Sequence, residues 1–201
     1  MRLALIALCL SPAMASAAEL LQISVERDGR RYTMVSETWF DAPVIGVFDV
    51  LTDYANFDRI SSVYKQSGYI EPADDNTPRV YSRARGCVLF FCQTIERVER
   101  LENEGLARLR AIAEPDKSDF KFSEASWEFR EQDNGTWVRY SVTMEPGFWV
   151  PPVIGPYMMK RKLASGGEDA INRIEVLAQQ STATAKVLGA RGLKGFEADN
   201  D

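Results

Sequence analysis

The stretch Glu145 to Leu163, EPGFWVPPVIGPYMMKRKL, separates two parts of the chain that have different hydrophobic patterns. Its four prolines exclude the middle of a β-sheet, because each proline removes a backbone donor and fixes φ. A flexible linker would not carry so many aromatic and aliphatic side chains. We therefore interpret this stretch as a rigid apolar hinge that leads into a helix.

The last part of this stretch and the sequence after it predict one long amphipathic helix, from Pro152 or Pro156 to Gln180. Small and apolar residues recur there with the period of 3.6 that places them on one face: Leu163, Gly167, Ala170, Ile171, Ile174, Leu177 and Ala178. The opposite face carries Glu168, Asp169, Arg173 and Glu175. Each glycine of the Gly166-Gly167 pair costs about 1 kcal/mol in a helix interior, so we expect either a bend or the close approach of another segment. Residues 181–201 are predicted to be a flexible tail.

The sequence before the hinge predicts strands with two short helices inserted. Leu21 to Glu26 and Arg31 to Trp39 alternate as strands do, and Asp28-Gly29 predicts a hairpin between them. Two short helices follow, from Pro43 to Thr52 and from Tyr54 to Ile60. Six further strands are separated by turn-forming residues: Val63–Ile70, Arg79–Gly86, Phe91–Leu101, Leu106–Ala113, Phe120–Arg130 and Thr136–Met144. Consecutive strands with short turns form an antiparallel meander.

These elements predict an α+β fold in which a strongly curved antiparallel sheet wraps around one long C-terminal helix. Residues 18–180 are expected to form a single domain, since no repeat or linker divides them. The long helix is the element large enough to cover the apolar face of the sheet. When a curved sheet closes on a single helix, side chains need not fill the space between them. The fold is therefore expected to hold a cavity.

Four stretches of the sequence resemble exported bacterial members of the helix-grip superfamily, also called SRPBCC or START-like. They are VLTDYANF at 50–57, the run 79–101 with CVLFFC at its turn, SDF at 118–120 before the strand that carries Trp127, and FWVPPVIGP at 148–156 before KRK. The resemblance covers Thr33 to Ala178. The superfamily includes polyketide cyclases, coenzyme Q-binding proteins and lipid-transfer domains. The resemblance thus implies an apolar tunnel between sheet and helix that takes a hydrophobic small molecule or lipid.

The resemblance also implies which side chains border this tunnel. Phe148 and Trp149 would lie at its mouth, whereas Tyr157, Met158 and Met159 would line its wall, where methionine adapts to differing ligands. The remaining candidates are other large apolar side chains of the domain: Phe48, Phe57, Phe90, Phe120, Trp127 and Leu163. For the five residues from Phe148 to Met159, the alternative that they are ordinary core remains open.

Residues 1–17 have the composition of a cleaved secretory signal peptide. Arg2 is followed by an apolar run from Leu3 to Leu10, and Ala15-Ser16-Ala17 offers small residues at the spacing of a cleavage site. The run is shorter than the roughly 20 residues that span a bilayer. We therefore expect a periplasmic or secreted protein whose mature chain begins at residue 18.

Cys87 and Cys92 are the cysteines that follow this leader. In an extended strand their α-carbons would be roughly 17 Å apart, whereas a disulfide needs about 4.4–6.8 Å. A bridge therefore requires the VLFF segment between them to turn back on itself. Because oxidising compartments favour disulfides, we expect the bridge, with two buried free thiols as the alternative.

The composition argues against several classes of function. The 201 residues include no histidine, which removes Ser-His-Asp and Cys-His nucleophiles and histidine-ligated zinc. The sequence carries no phosphate loop or dinucleotide motif. The net charge of −5 becomes one unit more negative without Arg2, so a nucleic acid is not expected as a partner. We expect no metal, no cofactor and no catalytic residue, and we interpret four carboxylates as solvated: Asp53, Asp58, Asp119 and Glu124.

Cationic residues predict two surfaces. Six arginines of the meander alternate with acids and are interpreted as the wet face of the sheet, with one of them capping a ligand head group as the alternative: Arg83, Arg85, Arg97, Arg100, Arg108 and Arg110. Lys160, Arg161 and Lys162 follow the aromatic residues of the hinge. Aromatic rings favour the membrane interface and cations attract anionic head groups. We expect transient docking on a membrane there, with a simple covering of the helix flank as the alternative.

These observations favour non-catalytic binding or transport of an apolar molecule, a lipid, an isoprenoid or a quinone, in the internal cavity. One alternative is an enzyme of the cyclase or aromatase kind, in which the cavity orients a reactive chain. A buried ionisable group with a strongly shifted pKa would favour the enzyme. The other alternative is a protein-interaction module, which requires a cavity filled by side chains.

Overall fold

A computed structural model of the protein describes residues 18–88, 90–151, 154 and 156–196, and all of their side chains except those of 88, 162, 163, 165, 166 and 185–196. The described chain forms one sheet of eight strands: β1 Glu19–Asp28, β2 Arg31–Phe40, β3 Tyr64–Ile70, β4 Arg79–Val88, β5 Phe91–Glu104, β6 Arg108–Ala113, β7 Phe120–Gln132 and β8 Gly135–Pro146. The helices are α1 Val44–Thr52, α2 Phe57–Ile60 and α3 Pro156–Phe196. Short 3-10 turns occupy Tyr54–Asn56 and Pro115–Lys117.

The strands lie in the order β1-β2-β8-β7-β6-β5-β4-β3, and all pairs are antiparallel. The run from β3 to β8 is the predicted meander, and the predicted α+β helix-grip fold is confirmed. The N-terminal hairpin adds to the last strand of the meander, with Tyr32 opposite Met144 and Phe40 opposite Thr136. Its turn contains Gly29 at a φ of +57°, which glycine adopts without strain.

The long helix differs from its predicted length. It begins at Pro156, where a proline in the first helical position sacrifices no intrahelical hydrogen bond. It continues to Phe196 and does not end at Gln180. The segment after Gln180 contains alanine, lysine, leucine and arginine, which are good helix formers. Its weak hydrophobic periodicity hid this continuation.

At one end of the sheet, α1 crosses α3 at close range. A Cβ atom added to Gly46 would lie 2.7 Å from the carbonyl oxygen of Ala178, so a side chain cannot be accommodated there without movement of the backbone. Val47 and Ala178 are fully buried at this crossing. We call it the closed end. The close approach that was one alternative for Gly167 is not observed, because no described atom lies within 4 Å of a Cβ placed there.

Glu175 lies on a different side of α3 from the one predicted. The helical pattern assigns it to the solvent face, yet the residue is only 6% exposed. Its carboxylate accepts hydrogen bonds from the backbone N–H of Ala18, at 3.0 Å, and of Asp41, at 2.6 Å. One turn later, the Gln179 amide donates to the Asp41 carbonyl. Backbone groups that need partners thus draw a charged side chain inward, an effect that hydrophobic periodicity does not report.

Candidate functional site

A cavity of about 590 Å³ lies between the concave face of the sheet and α3. Ligand pockets of proteins commonly measure about 300–1,000 Å³. The helix contributes Ala170, Ile171 and Ile174 to a wall that is predominantly apolar, with scattered hydroxyl groups such as those of Ser36 and Thr38. This space argues against the interaction module, which required side chains to fill it.

Five of the predicted wall residues border the cavity: Phe57, Phe120, Trp127, Phe148 and Met159. They come from α2, β7, the hinge and α3, so the fold brings together side chains that are far apart in sequence. A molecule that occupied the cavity would contact these five side chains.

The structure places other candidates away from the wall. Phe48 is buried in the core, where its ring packs edge to face against Phe129 with the centroids 5.4 Å apart. Met158 lies in the first turn of α3 but not on the described wall. The side chains of Leu163 and Lys162 lie outside the described residues.

Three aromatic candidates near the hinge are strongly exposed: Phe90 at 79%, Tyr157 at 76% and Trp149 at 69%. The ring of Phe91, which borders the cavity, lies 6.3 Å from the ring of Trp149. The tip of the β4–β5 hairpin therefore contacts the hinge. Lys160 and Arg161 are exposed and share the helix face of Tyr157, since they follow it by three and four residues. We call the following residues the mouth patch: Phe90, Trp149, Tyr157, Lys160 and Arg161.

A disulfide joins Cys87 and Cys92 across the same hairpin. The two residues are directly opposite in the β4–β5 register, with their α-carbons 4.0 Å apart. The chain between them turns back as the predicted bridge requires, so that prediction is confirmed and the free-thiol alternative is excluded. Gly86 and Cys87 also border the cavity. The disulfide therefore holds the hairpin where the cavity meets the hinge.

The prediction that all six meander arginines lie on the wet face of the sheet is wrong for Arg97. Gln93 and Ile95 of β5 border the cavity, and because strand side chains alternate, Arg97 and Glu99 lie on the same concave face. The side chain of Arg97 is 20% exposed. The other five arginines are more exposed and four of them form ion pairs: Arg83 with Glu96, Arg100 with Asp75, Arg108 with Glu104 and Glu128, and Arg110 with Glu102 and Glu124.

Arg97 belongs to a buried polar cluster beside the cavity. Its guanidinium pairs with the carboxylate of Glu99 at 3.5 Å, and the Glu99 side chain is only 4% exposed. The hydroxyls of three tyrosines lie near the guanidinium, and two of these residues, Tyr64 and Tyr140, border the cavity. We call the following residues the Arg97 cluster: Tyr54, Tyr64, Arg97, Glu99 and Tyr140.

Burial and charge set the protonation states of this cluster. Burial raises the pKa of Tyr64 and Tyr140 above the usual tyrosine value, and the neighbouring Arg97 opposes this only in part. Burial disfavours the charged form of Arg97, but Glu99 and the tyrosines outweigh it, so the pKa of Arg97 rises. At neutral pH both tyrosines are protonated and Arg97 is charged. These groups are not poised near neutral pH, as general acid–base catalysis prefers.

The sequence contained a signal that the Arg97 side chain lies on the concave face of the sheet. The signal was obscured because Arg97 is one of several arginines that alternate with acids. Phe91, Gln93, Ile95 and Leu101 are separated by multiples of two, and Leu101 is a core residue. Carrying that phase along β5 places positions 97 and 99 inside the sheet. Tyr140 carried a similar signal, because it alternates in phase with Val138 and Val142, which are core residues of β8. Tyr64 gave no comparable signal, because its strand mixes polar and apolar residues on both faces.

The described residues offer neither a metal site nor a membrane-spanning helix. They contain no group of three or more side chains suited to hold a metal ion. None of the helices described here is both long enough and apolar enough to cross a membrane.

The geometry defines a class of protein, a helix-grip domain that encloses a largely apolar cavity. Residues 40–164 match the family described as polyketide cyclase / dehydrase and lipid transport. This match covers more than half of the chain, and the protein belongs to that family. A comparison with curated protein sequences found no match.

Solved structures of other proteins share the fold. The STAR-related lipid transfer protein from Xanthomonas axonopodis superposes with a TM-score of 0.56 at 16% identity, over 76% of this chain and 98% of that one. The ZhuI aromatase/cyclase from Streptomyces sp. R1128 gives 0.55 at 12% identity, over 76% and 96%. Human STARD10 gives 0.56 at 10% identity, over 82% and 76%. At these identities the likeness establishes the fold alone.

Proposed function

We propose that the protein is a non-catalytic carrier that holds an apolar molecule with a small polar head, such as a lipid, an isoprenoid or a quinone. The observation that carries this proposal is the apolar cavity of about 590 Å³ with the Arg97 cluster at its edge. Each Å² of apolar ligand surface removed from water contributes roughly 25 cal/mol. Lipid transfer proteins among the structures of similar fold support the same kind of function.

The Arg97 cluster is proposed to bind the polar head. Tyr64 and Tyr140 present hydroxyl groups that both donate and accept hydrogen bonds, and Arg97 beside them is charged. Because Glu99 already balances that charge, an anionic head would bring an unpaired charge into the site. A neutral carbonyl or hydroxyl head therefore fits better than a carboxylate. Within the proposed classes, this favours a quinone, an alcohol or an uncharged lipid over a free fatty acid.

A cyclase or aromatase is the second candidate, since ionisable groups border the cavity and one protein of similar fold is an aromatase/cyclase. The direction of the pKa shifts opposes it. A tyrosine with a raised pKa is a poor proton donor, and an arginine that stays charged cannot act as a base. We therefore favour the carrier.

Extraction of the purified protein followed by mass spectrometry tests the carrier. We expect a copurifying apolar molecule and binding of hydrophobic fluorescent probes. Ile171→Trp adds bulk at the cavity wall and is expected to weaken probe binding about tenfold, which corresponds to about 1.4 kcal/mol. Val176→Trp is the matched control, because Val176 is 51% exposed on the same helix. Absence of both ligand and probe binding, or equal losses in the two variants, would count against the carrier.

We also propose that the carrier is exported and docks transiently on an anionic membrane through the mouth patch. A structural disulfide supports export, because disulfides persist in oxidising compartments. Exposed aromatic rings beside Lys160 and Arg161 suit the interface of a bilayer, where each cation contributes about 1 kcal/mol near an anionic surface. The patch lies where the hairpin meets the hinge, so docking would place the cavity close to the lipid.

Vesicle cosedimentation tests the docking. We expect binding to vesicles that contain phosphatidylglycerol, weaker binding to neutral vesicles, and a decrease with salt because ions screen surface charges. The double variant Trp149→Ser/Tyr157→Ser should lose most of this binding. Leu106→Ser is the control, because Leu106 is 43% exposed in the turn at the opposite end of β5 from the hairpin tip. An unchanged double variant would refute the assignment of the patch.

A further inference from the structure

Ala18 contacts a buried carboxylate, that of Glu175, and neither the cavity nor the mouth patch explains why this carboxylate is buried. Glu175 is a carboxylate at 6% exposure, and its described hydrogen-bond donors are the backbone nitrogens of Ala18 and Asp41. Among the described residues, no lysine or arginine pairs with it. A buried charge is normally paired or avoided. This carboxylate has neutral partners where a cation would be favourable.

Ala18 is also the residue that would follow the predicted cleavage site. The small residues Ala15-Ser16-Ala17 end immediately before it. The Ala18 side chain packs against the hydrophobic core, and its nitrogen lies 3.0 Å from the Glu175 carboxylate. Two independent observations, a cleavage pattern in the sequence and a hydrogen bond in the fold, therefore meet at the same backbone nitrogen.

We propose that the Ala17–Ala18 peptide bond is a processing site, and that the α-ammonium group released on Ala18 forms a buried ion pair with Glu175. A leader peptidase would add one water across the bond. The Ala17 carbonyl carbon takes the oxygen and becomes a carboxylate, while the Ala18 nitrogen leaves as an amine and is protonated at neutral pH. The amide N–H that donates to Glu175 before cleavage is thereby replaced by a charged donor at the same position.

The new ion pair would strengthen the contact between α3 and the first strand. Before cleavage the Glu175 carboxylate accepts from a neutral amide, whereas afterwards its partner is a cation, and the Coulomb attraction between opposite charges at hydrogen-bond distance is added. Leu20 of β1 and Ile174 of α3, which flank the pair, both border the cavity. Removal of the leader therefore completes the packing of the helix against β1 on one side of the cavity. The processed chain is more stable than the same fold with residues attached before Ala18.

This inference rests on the export that we propose, but the pairing is testable in purified chains whether or not a cell exports them. A chain released with Ala18 at its terminus is compared with one that carries two additional glycines before Ala18. Both retain a donor at the Ala18 nitrogen, so the comparison isolates the charge. We expect the free Ala18 chain to unfold at a Tm on the order of 5 °C higher. In the Glu175→Gln background this difference should disappear.

A second measurement does not depend on unfolding. The α-amine of the folded Ala18 chain should react more slowly with an acylating reagent than the α-amine of the glycine-extended chain, and Glu175→Gln should abolish the protection. Equal Tm values for the two chains, or equal acylation rates, would refute the ion pair. Intact mass of the exported protein tests the processing separately: a mature chain that begins at Ala18 is expected, and a terminus elsewhere would overturn the assigned bond.

Discussion

The two halves of α3 meet the rest of the molecule in different ways. At the closed end, α1 approaches so closely that a Cβ on Gly46 would lie 2.7 Å from the Ala178 carbonyl oxygen. Toward the hinge, a Cβ on Gly167 would meet nothing within 4 Å, and Gly167 borders the cavity. The same helix is thus packed to contact at one end and separated from the sheet at the other. The cavity lies at the end where the helix is separated from the sheet.

The largest expected effect lies beside the cavity, in the Arg97–Glu99 pair. Arg97→Met leaves Glu99 as a buried carboxylate without its cation, which typically costs about 3–5 kcal/mol. Arg97→Met/Glu99→Met removes both charges and is expected to recover most of this loss. Urea unfolding of the two variants measures the difference. If Arg97→Met is as stable as the parent protein, the stability of the fold on the cavity side does not depend on the Arg97–Glu99 pair.

The closed end is tested by Gly46→Ala. The added methyl group meets a backbone carbonyl that cannot move without shifting α3, so we expect a loss of about 2 kcal/mol in the free energy of unfolding. Denaturant unfolding is the measurement. If the variant is as stable as the parent protein, the crossing of α1 and α3 is looser than the structure indicates.

The same substitution at Gly167 should have the opposite sign. Alanine is favoured over glycine by about 1 kcal/mol in a helix interior, and no described atom obstructs the methyl group. Gly167→Ala is therefore expected to stabilise the protein by about that amount. Unfolding under the conditions used for Gly46→Ala makes the pair a direct comparison of the two ends. Destabilisation at Gly167 would mean that this end of the helix is also tightly packed.

The smallest effect concerns alkaline pH. Burial raises the pKa of Tyr140 above the value of about 10 that applies to an unfolded chain. The folded state therefore holds this proton more tightly, so the contribution to stability is complete below pH 10 and is lost as pH rises above it. Circular dichroism across this range should show loss of structure beginning above pH 10. Tyr140→Phe should be less sensitive to alkali than the parent protein, and an identical pH profile would contradict this account.

Much of the fold could be predicted because its signals are local. Turn-forming residues separate the strands of the meander, and Pro156 starts the long helix as the sequence suggested. The cavity followed from one geometrical argument about a curved sheet and a single helix. The polar part of the site could not be predicted with the same ease. Arg97 looks like its exposed neighbours in the sequence, and only the phase set by Ile95 and Leu101 distinguishes it.

The exposed aromatic residues show a further limit. Phe57 and Tyr157 are both large, apolar in part and close to short helices or hinges, yet the first borders the cavity and the second is 76% exposed. Residue type indicates that a side chain gains from burial. It does not indicate which of two neighbouring surfaces is available, because that depends on elements distant in sequence.

By itself, the sequence determined the order of the elements, the antiparallel meander and the need for a helix to cover it, since periodicity and turn chemistry act over a few residues. Tertiary structure alone decided which side chains face the cavity, that Glu175 is buried against Ala18 and Asp41, and that Gly46 rather than Gly167 marks a close crossing. The physical reason is that burial, hydrogen-bond partners and free space are properties of pairs of elements. Such pairs exist only after the chain has brought distant segments together.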